Sequence, residues 1–170
     1  TSILKAMKRG YTKEWFLNRT EKIRSLVPDL RITTDIIVAF PGESEEDYLD
    51  TLDVVKQAKF DQIFNFKYSP RPGTEALNME DLAVPDKIGS ARLIELIELH
   101  KRHLEAIMPT YVGQTFSVLV ESLKANGEVC GFTDNYLQVF TKGSDELLGK
   151  FVNVKITSNS RTSLKGEIVQ

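Results

Sequence analysis

Arg71 stands between two prolines in the segment FNFKYSPRPGT, residues 64–74. Proline fixes the backbone angle φ and removes an amide donor, so a stiff turn presents the Arg71 guanidinium. Tyr68 and Ser69, just before this turn, supply an aromatic ring and a hydroxyl group. A rigidly presented cation suits the recognition of a ligand better than it suits packing. The segment is therefore a candidate binding site.

A second candidate is FPGE at residues 40–43, where Gly42 carries no Cβ and allows a ligand to approach the backbone closely. Together the two segments predict the rim of a small-molecule pocket, for which an adenine ring held by backbone groups is a natural guest. The alternative is that both segments are ordinary turns that end strands. The residues themselves leave these two interpretations open.

Other types of chemistry find little support in the sequence. His100 and His103 lie three apart in a segment rich in charged residues, which indicates a solvated helix face rather than a metal site. The acidic run from Glu43 to Asp50 could supply paired catalytic carboxylates, but helix capping and the helix dipole explain most of it. The single cysteine, Cys130, forms no internal disulfide or metal cluster alone, and indicates a reducing compartment, the cytoplasm. No run of apolar residues is long enough to predict a membrane span.

The spacing of apolar residues predicts an α/β unit in the first two thirds of the chain. A helix over residues 12–27 precedes a strand, RITTDIIVAF, and Ser44 with Asp47 forms a capping box for the next helix. A second strand, FDQIFNFKY, carries Phe60, Phe64, Phe66 and Tyr68 on one face, and a long helix follows from Pro85 to about Met108. Strands in such a pattern lie parallel, and ligands bind beyond their carboxyl ends. Both candidate segments lie at those ends.

After residue 112 the pattern changes to five short strands: TFSVLVESL, EVCGFT, YLQVF, KFVNVKITS and LKGEIVQ. This predicts a small closed barrel of the OB type, a fold often used to bind nucleic acid. Residues 113–170 carry six basic and six acidic residues, but Lys150, Lys155, Arg161 and Lys165 form a weak basic stripe without an acid. RNA binding and a merely solvated surface are both consistent with this composition.

Four motifs taken together resemble one protein family: MKRGYT, DIIVAFPGESEEDYLDTLD, FDQIFNFKYSPRPGT and SLKGEI. They are similar, in order and over essentially the whole chain, to the C-terminal half of radical-SAM methylthiotransferases. The resemblance implies the C-terminal portion of a partial (βα) barrel over residues 1–112 and a TRAM β-barrel that binds RNA over residues 113–170. YSPRPGT is more similar to the tRNA-modifying branch than to the branch that modifies a ribosomal protein.

The family's reaction uses S-adenosylmethionine (SAM) and two [4Fe–4S] clusters. One cluster, held by a CxxxCxxC set, cleaves SAM to a 5′-deoxyadenosyl radical, and the other supplies sulfur. A methylthio group is placed on the isopentenyl-modified adenosine beside the tRNA anticodon, so the implied partner is the anticodon stem-loop. The cluster cysteines are absent from this chain, which we therefore expect to be a catalytically inactive fragment that holds no metal ligands and no catalytic residues.

The resemblance also assigns roles to individual residues. Arg9 follows the stretch that contacts the ribose and carboxylate of SAM, and Arg71 points toward the mouth of the barrel to meet RNA. The other residues implied to bind SAM are Asp35, Val38, Phe40, Tyr68, Ser69 and Pro70. In the TRAM portion, the residues expected to face RNA are Phe132, Thr133, Asn135, Lys150, Arg161, Ser163 and Lys165.

Two residues depart from the family pattern. This chain has Ala39 where the family usually has glycine, and Phe132 where the family usually has arginine. The first change relaxes the closest backbone approach, and the second exchanges a phosphate contact for a surface on which a base stacks. Two alternatives to a tRNA methylthiotransferase are a member of the branch that modifies a ribosomal protein and a noncatalytic RNA-binding module. An exposed parallel sheet edge would also allow a dimer or a domain swap.

Overall fold

The computed structural model describes residues 2–27 and 30–169. The chain divides into two compact units, Thr1–His100 and Lys101–Gln170. No helix within the described residues is long and apolar enough to cross a membrane. The mixed α/β class and the small barrel predicted from the sequence are confirmed.

The α/β unit contains a two-stranded parallel sheet beside helices. Its elements are α1 (Ser2–Ala6), α2 (Lys13–Leu26), β1 (Thr33–Val38), α3 (Glu45–Ala58), β2 (Gln62–Lys67), a 3-10 segment (Glu75–Leu82) and the start of α4 (Asp86–Ile107). Val38 pairs with Lys67 at the last position of the register, so the carboxyl ends of both strands meet at one edge, as the sequence predicts. The capping box of Ser44 and Asp47 begins α3, also as predicted.

The two faces of this sheet have different environments. Val38 and Ile63 pack on one face into a core with Tyr48, Leu52, Val55, Ala58, Phe60 and Leu96. Phe64 and Phe66 on the other face are about half exposed. The predicted common face of Phe60, Phe64, Phe66 and Tyr68 is therefore wrong for Phe60, which is 1% exposed. Phe60 precedes β2, so the strand's alternation does not extend to it, and the core buries it independently.

The second unit contains the predicted five-stranded barrel, closed in the order β3-β4-β5-β7-β6. The strands are β3 (Thr115–Leu123), β4 (Glu128–Thr133), β5 (Gln138–Lys142), β6 (Phe151–Asn159) and β7 (Leu164–Val169), and short 3-10 segments lie at Met108–Tyr111 and Asp145–Leu147. Strands β5 and β7 pair in parallel, and the other pairs are antiparallel. Alternate residues fill the interior, among them Val118, Val139, Val154, Ile156 and Leu164.

Candidate functional site

The carboxyl ends of β1 and β2 are held together at the predicted site. The Tyr68 amide donates a hydrogen bond to the Val38 carbonyl at 2.9 Å. The rings of Phe40 and Tyr68 meet edge to face, with centroids 5.3 Å apart at 71°. Val38 and Phe40 are buried, whereas the Tyr68 hydroxyl is enclosed without a hydrogen-bond partner among the described residues. An enclosed hydroxyl of this kind is ready to bond a ligand or a water molecule.

A buried ion pair sets the backbone at the end of β1. Ala39 adopts a left-handed conformation with φ of 60°. Both carboxylate oxygens of Glu43 accept its amide hydrogen, at 3.0 and 3.1 Å. Arg92 of α4 in turn donates to Glu43 Oε1 at 2.7 Å and to the Glu43 carbonyl at 3.1 Å. The turn that follows β1 is thus fixed from the protein interior by a charged pair.

Further contacts surround the Arg92 guanidinium. It donates to Glu45 at 2.9 Å and lies 5.1 Å from the centroid of the Tyr48 ring. Burial by itself lowers the pKa of Arg92, but the hydrogen bonds to Glu45 and Glu43 outweigh burial and raise it. The single proton of the Tyr48 hydroxyl is shared between the Arg92 carbonyl at 2.9 Å and Glu95 Oε2 at 3.0 Å. Desolvation, followed by the hydrogen bond to the Glu95 carboxylate, raises the pKa of Tyr48. Sequence reasoning missed this network because Arg92 lies 49 residues from Glu43 and no local spacing links them.

The turn after β2 presents Arg71 as the sequence predicts. The Arg71 carbonyl accepts the Thr74 amide at 3.3 Å and the Thr74 hydroxyl at 2.8 Å. Pro72 and Gly73, with φ of 83° at the glycine, occupy the central positions that a type II turn requires. Ser69, Pro70 and Arg71 are exposed, and the Arg71 guanidinium has no hydrogen bond or ion pair within the described residues. This cation is therefore available to a ligand.

A cavity of about 200 Å³ lies in the same unit, along β1. Its walls include apolar residues of α1 and α2 and the acidic residues Asp47 and Asp50 of α3. Arg9 and Asp35 line this cavity, whereas Tyr68, Ser69 and Pro70 do not. The structure therefore distributes the predicted cofactor residues between this cavity and the strand ends.

The predicted RNA-binding cations of the barrel differ in availability. Arg161 Nε donates to Glu105 at 2.7 Å, and Lys165 Nζ donates to Glu128 at 3.1 Å. Lys150 is exposed and has no ion pair within the described residues. Phosphate binding through Arg161 or Lys165 must first displace a carboxylate, whereas Lys150 is ready to bind.

Three predicted polar residues help to shape turns. Thr133 is 4% exposed; its hydroxyl donates to Asn135 Oδ1 at 2.6 Å and accepts the Leu137 amide at 2.8 Å. Ser163 lies 2.7 Å from Ser160 through their hydroxyl oxygens. The Thr133 hydroxyl is therefore buried, and it already forms hydrogen bonds within the turn that carries Asn135.

The histidines and acidic residues form no metal site in the part of the chain that the structure describes. The interpretation of His100 as a solvated residue is wrong, because it is 6% exposed and its Nε2 lies 3.2 Å from the Phe60 carbonyl. The face of α4 that packs on the core includes His100, which apolar spacing alone does not reveal.

Comparison with known proteins identifies relatives of the whole chain. Residues 109–169 match the TRAM domain family. The chain is 78% identical over 169 residues to a tRNA-2-methylthio-N(6)-dimethylallyladenosine synthase of Aliarcobacter butzleri, covering 99% of this chain and 39% of that protein. A protein of the same name from a Nitratiruptor species is 53% identical with the same coverage. The chain thus spans about 39% of the length of these curated relatives, in their C-terminal part.

Solved structures add little to this comparison. A conserved protein of Methanococcus maripaludis aligns with 35% of this chain and 80% of its own, at 24% identity and a TM-score of 0.30. That TM-score is too low to support an argument about the fold. The predicted resemblance to the C-terminal part of a methylthiotransferase with a TRAM domain is confirmed by the relatives and the family match.

Proposed function

We propose that this chain, which is similar over 99% of its length to the C-terminal part of tRNA-2-methylthio-N(6)-dimethylallyladenosine synthases, serves the same reaction. In the full-length enzyme it would form one side of the SAM site and bind the tRNA anticodon stem-loop. The reaction adds a methylthio group to the isopentenyl-modified adenosine beside the anticodon by radical-SAM chemistry, in the cytoplasm. The observation that carries this proposal is the 78% identity over 169 residues.

The strand ends fit one side of a SAM site. The enclosed Tyr68 hydroxyl lacks a partner among the described residues, and the Phe40 and Tyr68 rings form an apolar wall beside it. In this proposal Tyr68, Ser69 and Pro70 border the adenine, and Val38 and Phe40 fix the strand end behind it. Arg9 and Asp35 are assigned to the sugar and amino-acid part. When bound, SAM would supply the radical chemistry, and these residues would hold and orient it.

The two [4Fe–4S] clusters do not fit this chain, because a cluster needs several cysteines and the chain has one, Cys130, buried in the barrel. We assign the clusters to other parts of the full-length enzyme, and expect this chain alone to be inactive. In this proposal the residues of this chain position the substrate and the cofactor. The ion pair of Glu43 and Arg92 keeps the backbone at the end of β1 rigid.

RNA binding is assigned to the barrel, with a proposed domain boundary at residue 112, between the end of α4 at Ile107 and the start of β3 at Thr115. In the barrel, Lys150 is the cation that we assign to a phosphate first, because it is exposed and unpaired within the described residues; Arg71 of the α/β unit, also exposed and unpaired there, is assigned to RNA separately. Phe132, Asn135, Arg161, Ser163 and Lys165 complete the proposed surface. Thr133 contributes by shaping the turn.

Titration of an anticodon stem-loop against the chain over a series of salt concentrations tests this function. We expect log Kd to rise linearly with log salt, with a slope of about 0.7 to 0.9 for each phosphate contact. Lys150→Ala should reduce the slope by about one contact. Lys22→Ala, which removes another exposed cation, from α2, is the control. An affinity that does not change with salt would contradict phosphate binding.

The dimer or domain swap is proposed for the chain in isolation. Strands β1 and β2 form a two-stranded sheet, and Ile37, Phe64 and Phe66 are 37%, 52% and 50% exposed on its uncovered face. Exposed apolar sheet faces and free parallel edges favour self-association. Sedimentation at increasing concentration tests this: a purely monomeric chain at all concentrations would contradict it.

A further inference from the structure

Three apolar side chains from adjacent strands form a row on the outside of the barrel. Leu119 of β3 pairs with Phe132 of β4 on one side and with Phe151 of β6 on the other. The neighbours of Leu119 along β3, Val118 and Val120, are each 1% exposed and fill the interior. Because side chains alternate along a strand, Leu119 and its two partners face outward. Phe151 is 72% exposed, which is unusual for a phenylalanine.

A fourth residue, Tyr136, extends this row from the turn after β4. Its ring centroid lies 5.8 Å from that of Phe132 at an angle of 44°, and the residue is 78% exposed. The backbone of Tyr136 has φ of 62°, a left-handed conformation that is unfavourable for a side chain of this size. The Tyr136 amide donates to the Thr133 carbonyl at 3.0 Å, so the turn holds the ring in place. We call Leu119, Phe132, Tyr136 and Phe151 the aromatic row.

We propose that the aromatic row stacks unpaired bases of the RNA that the barrel binds. The inference rests on the proposed function, and it names the part of the RNA that this surface takes. Exposed rings on the face of an OB-like barrel bind unpaired bases by stacking, because every base has a π face. Paired bases in a helix offer no such face to a protein surface. The row therefore favours a loop over a stem.

The charges around the row support RNA as the occupant. Lys150 directly precedes Phe151, is exposed, and has no ion pair within the described residues, so it is placed to meet a phosphate next to a stacked base. Arg161 and Lys165 are already paired with carboxylates. Stacking at the row then contributes much of the affinity, and the salt dependence arises from few cations.

The test compares two RNA probes and two variants. The probes are an anticodon stem-loop and the same RNA with its loop paired to a complementary strand. Tyr136→Ala and Phe151→Ala should each weaken binding of the open loop by roughly 5-fold to 150-fold. Their effect on the paired probe should be small, and their salt slopes should equal that of the unmodified chain. Leu123→Ala, which removes another exposed apolar side chain from β3, is the control and should bind as the unmodified chain does.

The outcomes separate this inference from the proposed function. Salt-dependent binding that both aromatic variants retain would overturn the aromatic row and leave the proposed function standing. A chain that binds neither probe would contradict both. Tyr136→Phe should restore binding of the open loop, since stacking needs the ring and not the hydroxyl. Sedimentation tests whether a second copy of the chain, instead of RNA, covers the aromatic row. If Phe151→Ala converted a self-associated chain to monomers without loss of RNA affinity, the row would be a protein contact.

Discussion

The proposed sites of the two units differ in what is buried: the α/β unit encloses a charged pair, whereas the barrel leaves aromatic rings exposed. In the α/β unit, Arg92 and Glu43 are only 6% and 7% exposed and bind each other beneath a strand end. In the barrel, Tyr136 and Phe151 are 78% and 72% exposed, and the ion pair of Arg161 with Glu105 lies on the surface. Buried charges and exposed rings are both costly.

The two kinds of departure would serve the proposed sites in different ways. The α/β unit uses buried charge to fix backbone, because a buried guanidinium and carboxylate must keep their geometry to remain compensated. The barrel leaves rings uncovered, because a stacking surface must be open to its partner. These departures from normal burial lie at the proposed sites, although others, such as the exposed Trp15 and the buried Asp61, do not. Mutations of these buried charges and of surface charges therefore test the difference between the two units.

The largest effect is expected from Arg92→Met. This change leaves Glu43 buried without its cation, which costs about 3–5 kcal/mol in the free energy of unfolding. Urea unfolding measures the loss. Arg102→Met on the exposed part of α4 is the matched control, expected to change stability by less than about 0.5 kcal/mol. Equal effects of the two variants would show that the buried pair does not hold the strand end.

Gly89→Ala tests how tightly α4 packs on that strand end. A Cβ built on Gly89 would lie 2.8 Å from the Ala39 Cβ, so the substitution should destabilise the chain by about 1–3 kcal/mol. Ala39→Gly removes the opposing Cβ and relieves the left-handed backbone of Ala39, whose φ is 60°. A double-mutant cycle should therefore show rescue. Additive effects of the two changes would rule out the predicted contact.

Ser44→Ala should cost about 1 kcal/mol at neutral pH, because it removes the capping box of α3. The Ser44 hydrogen bonds hold the pKa of Asp47 below its ordinary value. A lowered folded pKa contributes stability above the unfolded pKa, and this is lost as the pH falls through the folded pKa. The difference between the variant and the unmodified chain should accordingly shrink below about pH 4. A difference that stays constant from pH 7 to pH 3 would contradict this linkage.

The surface pair of the barrel should contribute less. Arg161→Ala breaks the 2.7 Å contact with Glu105, whose side chain is 47% exposed, and should change the free energy of unfolding by less than about 1 kcal/mol. A double-mutant cycle with Glu105→Ala measures the coupling. If Arg161→Ala lowered the free energy of unfolding as much as Arg92→Met does, the surface pair of the barrel and the buried pair of the α/β unit would not differ in strength.

Arg71→Ala should have the smallest effect on stability, within about 0.5 kcal/mol, because its guanidinium is exposed and unpaired among the described residues. In the full-length enzyme the same change should reduce tRNA methylthiolation, while Arg71→Lys, which keeps the charge but loses the planar fork, should recover only part of it. Unfolding of Arg71→Ala would instead show that the residue is structural.

The sequence by itself determined the long helices, the strands and their order, but not α1 or the 3-10 segments. Periodic apolar residues predicted both parallel strands and all five barrel strands, and the S-x-x-D spacing predicted the capping box at Ser44. The prolines and Gly73 predicted the turn that presents Arg71. These features depend on contacts between residues near in sequence or on the period of the backbone, and both can be seen in a single chain.

Only the tertiary structure decided which side chains meet. The pairing of Glu43 with Arg92 joins residues 49 apart, and the aromatic row depends on the register of three strands. The engagement of Arg161 by Glu105, 56 residues away, likewise follows from folding. Such contacts depend on how the elements pack, and spacing along the chain carries no information about packing between distant segments.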